Sequence, residues 1–237
     1  MINISLFTDR IVTMLEQYHI ASLAAKHMSE SSDALTAYSR AKARELHDFL
    51  SISKHKEVFN NTKLATESLS ETSDRLKVKA ARSLADYQST LRQYTLVLLY
   101  SAWEAFLKDA IRELLRQYPS LLKEDRTIPL GKLVSKGEKA VLYDEVEREI
   151  DALDRKEIGA RLNHISSVYG LVEAFDPARI SVFKRSSEQR NQILHHSSRP
   201  SIKEHTLNQL AIAATIAANR LGKVIKKKFP KARILMG

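Results

Sequence analysis

Apolar residues recur at helical spacing through the first 28 positions. Ile4, Phe7, Ile11, Leu15, Tyr18, Ala21 and Ala25 alternate with Asp9, Arg10 and Glu16. Steps of three and four place side chains on one face of a helix, so residues 3–28 read as an amphipathic helix. Residues 29–33 interrupt the pattern, and Ser32 or Asp33 offers a side-chain oxygen to cap the next helix. Over residues 34–52 the pattern resumes with Leu35, Tyr38, Ala41, Leu46, Phe49 and Leu50. Residues 53–78 are more polar, and 60–62 and 68–74 read as loop, frayed helix or weakly packed connection. This predicts an N-terminal helical pair, residues 1–77, followed by a main helical domain, residues 78–237.

Residues 78–118 read as one long helix whose centre, 94–107, is apolar almost all round, the mark of a central buried helix. Glu104 is the one charged group in that centre. It reads either as an edge residue or as a buried acid that orients a cation from a neighbouring helix. Pro119 ends the helix, and residues 120–136, with Pro129 and Gly131, read as a connection. Residues 138–152 and 156–167 read as shorter, charged helices. Asp144, Glu145, Glu147, Glu149 and Asp151 scatter around the first of them, as on a solvated surface rather than a metal site. Asp176 caps a helix over 177–196, with Pro177 at its first position. After a turn at 197–201, Ser201 is a candidate cap for a last helix. Its face carries Leu207, Leu210, Ile212, Ala213, Ile216, Ala217 and Leu221.

Composition agrees with an all-α fold. Six glycines and five prolines in 237 residues are too few for a sheet with many tight turns. The absence of cysteine excludes disulfides, thiolate zinc sites and a cysteine nucleophile. The eight histidines show no metal-ligand spacing with acids, and neither a phosphate loop nor a nucleophile elbow occurs, so no metal or cofactor is expected. No apolar run has membrane-spanning length and no signal peptide is evident, which predicts a soluble, cytoplasmic protein without a membrane partner. The formal net charge of +10 favours a polyanionic partner, nucleic acid first. Lys223, Lys226, Lys227 and Lys228 begin a basic C-terminal tail that reads either as RNA-backbone contact or as a solvated tail.

Residues 187–196, Ser-Glu-Gln-Arg-Asn-Gln-Ile-Leu-His-His, depart from this scaffold pattern. At about 100° per residue, Val182, Ile193, Phe183, Leu194 and Ile180 form an apolar arc, and Arg190 falls near its middle. Asn191 lies at the margin, and His195, one turn on, shares its side. Three readings stand: Arg190 pairs with a buried acid such as Glu104; the helix faces its own copy across a two-fold axis; or these are surface groups. Arginine can hold phosphate bidentately, and histidine can carry protons near neutrality. Together they form a minimal set for metal-free RNA cleavage, with histidine moving the 2′-hydroxyl or leaving-group proton and arginine stabilising the phosphorane.

The run from Arg190 to His195 resembles the R-N-x-x-x-H signature of HEPN domains (higher eukaryotes and prokaryotes nucleotide-binding). Residues 94–107, with their aromatic–Glu–Ala–Phe, resemble the first core helix of the bacterial RiboL-PSP/MAE-type branches. The likeness covers roughly 80–228. It implies an all-α bundle that dimerises with motif helices facing. It also implies metal-independent endoribonuclease activity in toxin–antitoxin or anti-phage defence, with an antitoxin as a possible regulator. By motif position Arg190 and His195 would be catalytic and Asn191 supporting. His196 lies outside the pattern and, with Glu104, is an accessory candidate. Members that only bind RNA or protein supply the alternative reading.

Overall fold

The computed structural model describes residues 2–51, 68–122, 130–195 and 200–235. The fold is all-α. Its helices are α1 (Ile4–Glu30), α2 (Ser32–Ser51), α3 (Leu69–Gln117), α4 (Leu130–Lys136), α5 (Glu138–Asp154), α6 (Ile158–Val168), α7 (Pro177–His195) and α8 (Glu204–Lys228). Short 3-10 turns occur at Pro119–Leu121 and Val172–Ala174. Two two-residue strands, β1 (Ile2–Asn3) and β2 (Ile234–Leu235), pair in parallel, with Ile2 opposite Ile234. No helix among the described residues is long and apolar enough to cross a membrane.

The chain forms two compact units, Met1–Glu16 with Gln93–Gly237, and Gln17–Arg92. The sequence pattern predicts a division at 77/78; the observed one falls inside α1 and inside α3. Packing explains the difference for the first sixteen residues. Phe7 stacks on Phe106 at 4.4 Å, and Ile4 and Ile11 are buried with it. Ile2 and Asn3 pair with Ile234 and Leu235 near the other end of the chain. None of these partners is visible from local periodicity.

In the larger unit, Trp103 of α3 lies flat on Phe183 of α7, with ring centroids 4.6 Å apart and planes within 5°. Phe106 and Phe175 complete an aromatic cluster around Trp103. Offset stacking of this kind adds about 1 kcal/mol beyond area burial, so it fixes how α3 and α7 meet. Helix α3 is not buried all round as its composition suggests: Tyr94, Leu98, Ser101 and Ala105 form an exposed stripe at spacings of four, three and four. The alanines of α8 are buried, as expected for close packing; Ala214, Ala217 and Ala218 are fully enclosed.

Several element ends differ from the pattern reading, each for a local reason. Helix α3 starts at Leu69 rather than near Val78. Ser68 and Glu71 form a reciprocal cap: the Ser68 amide donates to Glu71 Oε2 at 2.7 Å, and the Glu71 amide donates to Ser68 Oγ at 3.2 Å. The Ser68 amide, and the Ser68 hydroxyl that also donates to Glu71 Oε2, hold the Glu71 carboxyl below its usual range. Helix α2 is capped by Ser31, whose Oγ accepts from the Ala34 amide, rather than by Ser32 or Asp33. Lys203, not Ser201, sits at the N-cap of α8 and makes no side-chain cap. Part of the expected connection after Pro119 is helical, as α4. Asp176 does cap α7, accepting from the Arg179 amide at 2.9 Å. Residues 60–62 and the turn at 197–199 lie outside the described residues.

Candidate active site

Helix α7 carries the site, and its phase follows the chain's apolar spacing. Phe183 and Ser186 are buried, while Arg190 and Ile193 are half-buried on the same stripe. Arg190 therefore faces inward, as its position in the arc predicts. Its Nε is enclosed without a hydrogen-bond partner, while Nη1 donates to Asn191 Oδ1 at 3.1 Å. Asn191 and His195 are exposed. They stand one turn apart on one side of α7, and His195 is the helix's last residue. Leu194, assigned to the apolar arc by spacing, is instead 48% exposed. The end of α7 thus combines an inward arginine with an open polar and apolar rim. His196 lies outside the described residues.

Glu104 is not the partner of Arg190. It accepts from Arg161 Nη1 of α6 at 3.1 Å. Arg161 also donates from Nε to the Leu153 carbonyl at 3.0 Å and from Nη2 to the Asp154 carbonyl at 2.9 Å. It thereby ties down the C-terminal carbonyls of α5, and Glu104 completes its fork. Periodicity alone does not single out Arg161. The available signal is its place beside Leu162, one turn after Ile158, inside an apolar helix.

Tyr100 reads in the sequence only as part of the apolar centre of α3, yet its hydroxyl belongs to this site. Burial pushes the phenol up to about 12; the neighbouring Ser187 and the charges of Arg161 and Arg190 oppose that shift, and Glu104 adds to it. One buried hydroxyl is therefore within electrostatic reach of both arginines. The Trp103–Phe183 stack and the nearness of Tyr100 to Ser187 run α3 antiparallel to α7, and the Tyr100 hydroxyl itself is enclosed without a hydrogen-bond partner among the described residues. Gln93 continues that register, donating from Nε2 to the Pro200 carbonyl at 3.0 Å and so tying α3 to the segment after α7.

The remaining candidates fall elsewhere. Lys223, Lys226, Lys227 and Lys228 are exposed, but they belong to the last turns of α8 and not to a tail. There they complement the negative end of the helix dipole. Lys228 also donates to the Gly170 carbonyl at 2.5 Å, where Gly170 takes a positive φ of 66°. The acids of α5 are not simply solvated. Glu147 binds Arg112 at 2.7 Å, buried Glu149 accepts from Tyr169 Oη at 2.9 Å, and Glu145 pairs with Arg148 at 2.7 Å. Among the described residues no group of acids or histidines could hold a metal ion. On the outer side of α7 and α8, an apolar groove of about 560 Å³ is lined by Val182, Ile212 and Ile216, with Asp176 and Arg179 at one end.

Comparison of the chain with family models, with curated proteins and with solved structures returns no match.

Proposed function

We propose that the protein is a metal-independent endoribonuclease of the HEPN type, acting as a homodimer with the C-terminal ends of two α7 helices facing one another. The observation that carries this reading is Arg190. Its enclosed Nε has no partner, and its one side-chain hydrogen bond is to the neutral Asn191. An enclosed guanidinium donor without an acceptor costs about 1–3 kcal/mol. A phosphate presented beside Asn191 and His195 would accept from the guanidinium's Nη groups and supply the missing negative charge.

In this reading the Arg190 guanidinium holds non-bridging phosphate oxygens and stabilises the charge that grows on the phosphorane. His195, exposed at the helix end, takes the 2′-hydroxyl proton or delivers one to the departing 5′-oxygen. Asn191 keeps the guanidinium in place through Nη1. The 2′-oxygen attacks phosphorus, the phosphorus–5′-oxygen bond breaks, and a 2′,3′-cyclic phosphate remains. With one arginine and one histidine per chain, a second copy supplies the complementary acid or base. The +10 formal charge suits an RNA substrate. Toxin–antitoxin or defence contexts, with an antitoxin as regulator, accompany the family likeness. The exposed groove lined by Ile212 favours one alternative, a non-catalytic module that docks a helical partner there.

The test is cleavage of a mixed RNA pool in EDTA by wild type, Arg190→Ala and His195→Ala. Cleavage by wild type with loss in both variants is expected. Binding without cleavage by wild type would leave the non-catalytic module standing.

A further inference from the structure

The Gln17–Arg92 unit contains a polar cleft that takes no part in the chemistry above. It measures about 570 Å³ and opens between α2 and the first turns of α3. Arg40 and Arg44, one turn apart on α2, line it with Lys77 of α3, and Asp74 is the single carboxylate among the described lining residues. The floor is hydroxyl. Ser39 and Ser73 are both buried and share a 3.2 Å hydrogen bond.

The cations here are unlike others on the same helix. Lys42, which does not line the cleft, is paired with Glu45 at 2.8 Å. Among the described residues Lys77 has only neutral acceptors, donating to Thr36 Oγ1 at 2.8 Å and Ser32 Oγ at 3.1 Å. Arg40 and Arg44 have no ion pair or hydrogen bond among the described residues, and both are exposed to solvent. Three positive charges converge on a concave surface whose walls donate hydrogen bonds, which raises the local concentration of anions. Guanidinium forks match phosphate oxygens, and the ammonium and hydroxyl groups can take those that remain. A terminal phosphate presents three charged oxygens, and successive phosphodiesters present two each, enough to engage both arginines and the lysine at once. The cleft's volume is that of a small-molecule site.

We propose that this cleft binds phosphate groups, presented either by a free nucleotide or by the backbone of a single-stranded RNA. The assignment does not rest on the nuclease reading, because it uses none of the residues of α7.

Full-length protein is titrated with a labelled single-stranded RNA, and separately with ATP and with pyrophosphate. The comparison is wild type against Arg40→Gln/Arg44→Gln, against Lys77→Gln, and against Lys42→Gln, which removes a cation of the same helix outside the cleft. Both arginines are exposed, so the double variant should keep wild-type helicity and melting temperature. Expected is a loss of about tenfold or more in affinity for the bound probe in the double variant, a smaller loss for Lys77→Gln, and none for Lys42→Gln. If RNA is the ligand, the dependence of log affinity on log salt becomes shallower by about 0.7 for each phosphate left without its cation. If ATP or pyrophosphate binds and displaces the RNA, a free phosphate ester is the ligand. Wild type binding none of the probes would overturn the proposal, as would a correctly folded double variant that binds all of them as wild type does.

Discussion

Arg161 and Arg190 sit on consecutive helices that pack together, α6 and α7, and their surroundings are opposite in kind. Arg161 uses Nε, Nη1 and Nη2 on three main-chain carbonyls and on the Glu104 and Asp154 carboxylates. Arg190 has an enclosed Nε with no acceptor and one neutral partner through Nη1. Both are inward-facing arginines in a helical scaffold. Burial alone therefore does not separate a structural arginine from a functional one; the separating property is whether the protein itself satisfies the fork. A satisfied fork is part of the fold, while an unsatisfied one has donor capacity left for a ligand or a second chain.

The largest effect should come from breaking the satisfied member. Arg161→Met leaves Glu104 without its counter-charge and frees the last carbonyls of α5. It should lower unfolding free energy by about 3–5 kcal/mol in urea titrations. A decrease below about 1 kcal/mol would show that the fork matters less than its geometry implies. Arg190→Met should behave in reverse. It removes an unsatisfied buried donor, so stability should be unchanged or higher by up to about 1 kcal/mol. RNA cleavage should fall by about 10²–10³-fold, the scale for removing one charge-stabilising group. Equal destabilisation by the two variants would erase the distinction between the two arginines.

Tyr100 reports on the ground between them. Its phenol is pushed up to about 12, with burial the largest cause, so folding favours the protonated form. The stability linked to it is complete below the ordinary tyrosine value of 10 and is lost as pH rises through about 12. Moving a phenol over that range corresponds to about 3 kcal/mol. Tyr100→Phe should flatten stability across that window, which pH-dependent denaturant titration would reveal; an unchanged slope would assign it to other groups. The smallest effects are expected on α8. Lys228→Ala removes one exposed hydrogen bond to Gly170 and should cost about 0.5–1 kcal/mol in stability. Lys223→Ala should leave stability alone, and any weakening of RNA binding should appear as a salt slope shallower by about 0.7.

Helix α7 is legible in detail because its signals are local. Asp176–Pro177 marks its start, and the spacing of Phe183, Arg190 and Ile193 sets its inward face. The helix cap at Ser68 is equally local but hard to read, since its Ser-x-x-Glu spacing sits in a polar stretch that also suits a loop. Leu194 shows the limit of periodicity: its direction around the helix is apolar, yet at the helix end it is left half exposed.

From the amino-acid order alone come the all-α class, the approximate extent of most helices, the inward aim of Arg190, and the shared side of Asn191 and His195. These follow from repeats of three and four residues and from caps, which need only a few neighbouring positions. Tertiary structure alone decided that Glu104 belongs to Arg161, that Tyr100 feels the charge of both arginines, and that Phe7 joins the Trp103 cluster. It also decided that Arg40, Arg44 and Lys77 converge on one cleft. Each of these joins residues far apart in the chain, and which side chains meet is set by how whole helices pack, a property that no single helix's pattern contains.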